Sequence, residues 1–196
     1  MNADLTRAAL LVLDMQVDFC HPDGAYARGG TDVSGTWPLI PRQAAVVAEC
    51  KRRRIPVVAS QFVVLTGLDG QAMLAPHLAQ LRPFLQREGF RLGSPGMAVV
   101  PELAAPDYLI EKPRYSAFYN TRLELLLRCL KVEHLILCGI ATNGAVEATA
   151  RDAHLRDLEM TVLADCCGSY DPAAHATAIA GLKRMARVID SERLFD

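Results

Sequence analysis

Charge of one sign is what this sequence most conspicuously lacks. Its 21 Lys and Arg stand against 22 Asp and Glu, a formal net charge of -1. Without a broad field, attraction to nucleic acid or to an anionic membrane is not expected. The one basic cluster, Lys51-Arg52-Arg53-Arg54, follows a helical pattern and precedes a proline-led strand. It suits a solvated helix C-terminus better than a phosphate patch. Cysteine spacing of the metal-knuckle kind is missing too: Cys166 and Cys167 are adjacent, and no CxxC occurs. Nor do the six cysteines suggest disulfides, because 196 residues with 51% hydrophobic content bury a core without staples. Long apolar runs are absent. The N-terminal segment MNADLTRAALLVLDMQ offers only Ala8–Leu13, too short for a membrane span or a leader. A cytoplasmic chain forming one domain over residues 1–196 is expected.

What is present is alternation. Ala8–Leu13 is a continuous apolar run of the kind that forms a strand buried on both faces. Pro41–Arg53 repeats apolar residues at helical spacing, and Pro56–Phe62 reads as a second strand. Ala72–Gln86 is interrupted by Pro76 and Pro83, which limits helix there to short pieces. Tyr108–Glu111 is a short strand ended by Lys112-Pro113. Thr121–Leu130 carries a leucine stripe at helical spacing. His134–Cys138 is a fourth strand, Gly144–Leu155 a helix, Thr161–Leu163 the start of a fifth strand, Pro172–Met185 a helix, and Val188-Ile189 a sixth strand. This βαβα order predicts an α/β fold with a parallel sheet and helices on both faces. Small ligands bind such sheets beyond the carboxyl ends of the strands.

Three segments follow closely after predicted strands and should therefore share one edge. Asp14 ends the first apolar run, where a carboxylate is costly unless it is paired or hydrogen-bonded. Taken alone it reads equally well as a turn cap. Lys112 follows the YLIE strand; alone it reads as a surface lysine, but at that edge Asp14 is its obvious partner. The third segment, Gly139-Ile140-Ala141-Thr142-Asn143-Gly144-Ala145-Val146, joins a strand to a helix. Its unsatisfied N–H groups suit an anion or a developing oxyanion, or simply an ordinary turn capped by Thr142 or Asn143.

In this order, LLVLDMQVDF (Leu10–Phe19), EKPRYSAFYNT (Glu111–Thr121) and CGIATNGAVEATARDA (Cys138–Ala153) resemble the isochorismatase-like cysteine hydrolases. The later VLADCCGSYD extends the resemblance along the whole chain. It implies a three-layer αβα, Rossmann-like fold on a six-stranded parallel sheet, and an Asp–Lys–Cys triad of Asp14, Lys112 and position 145. In that triad the cysteine attacks an amide carbonyl to form a thioester that water releases, with Asp14 moving the proton and Lys112 tuning it. The family further implies a cis peptide before Ala141 and an oxyanion hole made by the N–H groups of Ala141 and position 145. It also implies a homodimer or homotetramer.

Position 145 departs from this pattern, because it is alanine and a methyl group cannot attack a carbonyl. Either a native cysteine was replaced or this is a natural branch without the thiol. Isochorismate-cleaving relatives also lack it and protonate a vinyl ether with the aspartate. The flanking EATARDA and KPRYSAF segments look more like the amide-cleaving branch. A small amide or ureido compound is therefore the expected substrate, with vinyl-ether hydrolysis by Asp14 or a non-catalytic metabolite binder as alternatives. Cys138 should point into the core, and Cys166 is a weak stand-in for the missing thiol. Nicotinamidases of the family carry an Asp-x-His pair after the second strand; Ser60-Gln61-Phe62-Val63-Val64-Leu65 has neither residue. His21 and His77 are isolated, so no metal and no cofactor are expected. Gln61 offers a neutral donor and acceptor for a ureido group. Phe19, Tyr115 and Phe118, with Asn143 from the turn, are the expected substrate contacts.

Overall fold

A computed structural model of the chain describes residues 5–196; residues 1–4 of the segment read above as too short for a leader lie outside it. Six strands, β1 (Ala8–Leu13), β2 (Val57–Phe62), β3 (Tyr108–Lys112), β4 (His134–Ile140), β5 (Glu159–Gly168) and β6 (Arg187–Ile189), form one sheet. Their order is β3-β2-β1-β4-β5-β6, and every neighbouring pair is parallel. The helices are α1 (Val17–Cys20), α2 (Ala25–Arg28), α3 (Leu39–Arg52), α4 (Pro76–Leu81), α5 (Leu123–Cys129), α6 (Glu147–His154) and α7 (Pro172–Leu182). This is the expected α/β arrangement with a six-stranded parallel sheet.

The burial pattern explains why the strands read as unbroken apolar runs. β1 and β4 are buried at every position, so both faces of the sheet's centre are covered. β3 lies at an edge and alternates, with Ile110 and Lys112 buried while Leu109 and Glu111 are exposed. The sheet order reverses between β1 and β4. At such a switch point the connections leave in opposite directions, and a crevice opens beyond the strand ends.

Several boundaries differ from expectation for physical reasons. Pro76 and Pro83 begin their pieces rather than interrupting one: each stands in the first turn, of α4 and of a 3₁₀ turn over Pro83–Gln86. There the missing N–H costs nothing. The helix expected from Gly144 starts as a π turn over Thr142–Val146 and becomes α-helical only at Glu147. β5 runs from Glu159 to Gly168 because its partner β4 is also long, although the pairing slips between Leu137 and Gly139. Gly139 makes that slip possible. Its φ is +121°, and a Cβ there would sit 2.1 Å from the Leu13 carbonyl oxygen, so the backbones of β1 and β4 approach where no side chain fits. The basic run ends α3 as expected, with Glu49 pairing to Arg52 at 2.5 Å and to Arg53 at 2.6 Å.

Candidate active site

Asp14 is the first residue beyond β1, and its φ of +56° turns the chain sharply out of the sheet. A short polar side chain tolerates that conformation better than a branched one. The carboxyl group lies where register dictates. Leu13 pairs with Ser60 across β1 and β2, and the Ser60 hydroxyl donates to Asp14 Oδ1 at 2.7 Å. From β3, the second strand along, Lys112 Nζ reaches Asp14 Oδ2 at 2.7 Å. The same ammonium donates to the Arg114 carbonyl at 2.8 Å. Asp14 and Lys112 are 4% and 1% exposed, so this ion pair is buried. Burial is the larger influence and pushes the Asp14 carboxyl above its ordinary range. The Lys112 charge, and hydrogen bonds from Lys112 and Ser60, hold it back from rising further. The result is a proton acceptor matched to a group less acidic than a free carboxylic acid.

The turn after β4 faces this pair. Ile140-Ala141 is a cis peptide, as the family resemblance implied. The Ala141 carbonyl then accepts from Gly144 N at 3.0 Å and from Val146 N at 3.2 Å, which winds the π turn. Asp14, Lys112, Ala141, Asn143, Gly144 and Ala145 all line one cavity of about 410 Å³, a size that suits a small metabolite. Ala145 is 2% exposed, so its methyl sits in the cavity wall.

Aromatic rings close another wall. Phe19 and Phe62 line the cavity together with Tyr26 and Tyr170. Tyr26 stacks on Tyr170 with centroids 5.2 Å apart, and the Tyr170 hydroxyl donates to the Phe19 carbonyl at 3.1 Å. Phe90, fully buried, braces Phe19 at 4.3 Å and Phe62 at 5.1 Å. α4 and the turn after it contribute Leu78, Arg82 and Leu85 to the lining.

Of the expected substrate contacts, Phe19, Tyr115 and Asn143 line the cavity. Tyr115 is 58% exposed and leans on Gly144, where a Cβ would meet its ring at 3.5 Å. Asn143 accepts from Ser169 Oγ at 2.8 Å. Gln61 and Phe118 are not among the lining residues. Side chains alternate along a strand, and it is Ser60 that bonds Asp14, while Gln61 Nε2 donates to the Met97 carbonyl at 2.8 Å. Phe118 is seated in the core: Ala117 N donates to Thr149 Oγ1 of α6 at 3.0 Å, and the Arg156 guanidinium lies over the Phe118 ring at 4.6 Å.

Sequence reasoning missed Ser60, Tyr26, Arg82 and Tyr170. Ser60 had a readable signal, since it lies toward the carboxyl end of the strand beside β1 and pairs with Leu13. The others arrive from α2 and from the segments after α4 and β5, which carry no such register.

No cysteine replaces a thiol at position 145. Burial pushes the thiols of Cys20, Cys50 and Cys166 up to about 12, and those of Cys138 and Cys167 well above their ordinary value. Cys138 points into the core as expected, and Cys166 is buried outside the cavity lining.

Residues 8–193 match the Isochorismatase domain family. A ureidoacrylate amidohydrolase RutB of Methylobacterium radiotolerans is 36% identical over 192 residues, covering 92% of this chain and 74% of that protein. The RutB of Pantoea ananatis is 32% identical over 177 residues, covering 85% of this chain and 71% of its own. Among solved structures, a cysteine hydrolase from Pseudomonas syringae pv. phaseolicola shares the fold with a TM-score of 0.83 at 22% identity, covering 100% of this chain and 95% of that one. A pyrazinamidase of Pyrococcus horikoshii in complex with zinc has a TM-score of 0.75 at 25% identity, covering 94% of this chain and 99% of that one. The residues here do not fit such a metal: among the described residues no three His, Cys, Asp or Glu side chains are grouped to hold one. A match that begins at β1 and ends beyond β6, with relatives more than 30% identical across most of their own length, has one meaning: the chain belongs to the isochorismatase family.

Proposed function

We propose that this chain is an amidohydrolase scaffold for the C–N bond of a small ureido or carboxamide compound, with position 145 as its nucleophile position. The observation that carries this is the buried Asp14–Lys112 pair opening into the same cavity as Ala145. The relatives named ureidoacrylate amidohydrolases favour a ureido substrate. With a thiol at position 145, Asp14 accepts its proton as the sulfur attacks the carbonyl carbon. The developing oxyanion is received by the N–H groups of Ala141 and residue 145. The C–N bond then breaks, Asp14 returns the proton to the departing nitrogen, and water, deprotonated by Asp14, releases the acyl group from sulfur. Lys112 keeps the carboxylate oriented throughout.

With alanine at 145 the covalent route is closed, and this chain binds its substrate without cleaving it. The test is ammonia release from ureidoacrylate. Ala145→Cys is expected to release it steadily while the unmodified chain stays at the uncatalysed rate. Equal rates for the two would contradict the assignment.

The raised Asp14 carboxyl favours a second reading, in which the protonated acid delivers its proton to a vinyl ether such as isochorismate. Pyruvate release by the unmodified chain would establish it, and its absence would remove it.

The same family resemblance supports a homodimer or homotetramer, and the near-balanced charge supports the absence of a nucleic-acid or membrane partner; action in the cytoplasm without a cofactor belongs to the same proposal. No helix among the described residues is long and apolar enough to cross a membrane. Light scattering on the eluting protein checks the assembly, and a monomer mass across micromolar concentrations would contradict it.

A further inference from the structure

Charge around the cavity is unevenly distributed, and the mechanism above leaves part of it unused. Asp14 and Lys112 neutralise each other. Asp171 also lines the cavity, but its Oδ1 accepts from Ala173 N at 2.8 Å and Ala174 N at 3.4 Å, capping α7. Two guanidinium groups remain, on Arg82 and Arg114. Among the described residues neither is ion-paired to a carboxylate, whereas seven other arginines are, such as Arg28 with Glu88 and Arg151 with Glu147.

The two differ in how they are held. Arg114 is exposed, and its Nη1 donates to the carbonyl of the preceding residue, Pro113, at 2.6 Å. Arg82 is half-buried. Its Nε donates to the Tyr26 hydroxyl at 3.3 Å, its Cζ lies 5.8 Å from the Tyr26 ring centroid, and its Nη1 donates to the Leu81 carbonyl at 2.9 Å. Tyr26 is in turn fixed by its stack on Tyr170 and by an edge contact with Phe84 at 5.2 Å. The head of Arg82 is therefore positioned, one nitrogen is left without a protein acceptor, and the apolar rings around it reduce screening by water. A planar guanidinium in that state is suited to a carboxylate.

We propose that Arg82 determines the specificity of this cavity by receiving the carboxylate of a small ureido or carboxamide acid whose other end lies beside Asp14, Lys112 and Ala145. The proposal rests on the amidohydrolase reading for the identity of that other end. Its test needs no turnover, so the two fail separately.

Isothermal titration calorimetry on the unmodified chain compares 3-ureidopropionate with 3-ureidopropionamide, which share the ureido group and differ in the charge at the far end. The acid is expected to bind about tenfold or more tightly than the amide. Arg82→Gln, which keeps a donor for Tyr26, should bring the acid to within about twofold of the amide and leave amide binding unchanged. Arg82→Lys should restore part of the preference, and thermal melts should show all variants folded. The proposal is overturned if the unmodified chain shows no preference for the acid, or if Arg82→Gln keeps that preference. It is equally overturned if Arg114→Gln abolishes the preference instead, or if Arg82→Gln loses the amide as well, since Arg82 would then only shape the cavity. A preference lost in Arg82→Gln together with an Ala145→Cys protein that releases no ammonia would uphold the subsite and reject the hydrolase.

Discussion

Two opposite charges held together out of water are the most consequential residues in this molecule. Desolvating a carboxylate and an ammonium costs several kcal/mol each, and their attraction offsets this only while both are present with good hydrogen bonds. Here the bonds are present: Ser60 and Lys112 occupy both oxygens of Asp14. Lys112→Met should therefore destabilise the fold by about 3–5 kcal/mol, because it strands a buried carboxylate. Adding Asp14→Asn, which tolerates the positive φ, should recover most of that loss. Urea unfolding of the single and double variants checks this. A double variant as unstable as the single would mean that packing of the lysine stem, not charge, is what matters. A carboxylate at the end of an apolar run and a lysine after YLIE were readable as partners from sequence, because β-strand order fixes where strand ends lie. Gln61 misses the cavity for an equally physical reason: Ser60 and Gln61 are adjacent in β2, and a strand sends neighbouring side chains to opposite faces.

The sheet's central strands show what an apolar run conveys and what it conceals. Runs such as Ala8–Leu13 announced buried strands. The π turn over Thr142–Val146 was hidden, since Asn, Gly and Ala suit several turn geometries equally. The contributions of Tyr26, Arg82 and Tyr170 to the cavity were hidden as well, because these residues, far apart in sequence, meet through ring packing and one long-range hydrogen bond. β4 and β5 also carry a pH-sensitive joint. His134 opens β4, is 5% exposed, and bonds Thr161 Oγ1 through Nε2 at 2.9 Å. Its Nδ1 has no hydrogen-bond partner, and Glu159, an exposed and screened carboxylate, is 3.7 Å away. Burial is the leading cause that lowers its pKa from 6.5. The unfolded chain thus takes up a proton before the folded one does, and stability present above about pH 6.5 is lost as pH falls through and below that value. His134→Gln should flatten this slope between about pH 6.5 and 5 in denaturant titrations. An unchanged slope would place the sensitivity elsewhere, with His175, also lowered by burial, as the next group to replace.

At the scale of the whole molecule, strand order brings function to one place. Asp14 leaves β1 and Ala141 follows β4, the two strands between which the sheet order reverses. Lys112 enters from the end of β3, and the remaining wall comes from α1 and α2 between β1 and β2, from the connection between β2 and β3, and from the segment after β5. A parallel sheet of this order would form a crevice with many different sequences; the ion pair and the turn amides make this one suited to acyl chemistry. That claim is tested most directly by locating the covalent intermediate. Ala145→Cys protein is mixed with a ureido acid, quenched within milliseconds, and examined by intact-mass and peptide mass spectrometry. The predicted result is a single carbamoyl adduct on the peptide containing residue 145, lost when Asp14→Asn is added. No adduct, or one carried by the exposed Cys129 instead, would contradict it.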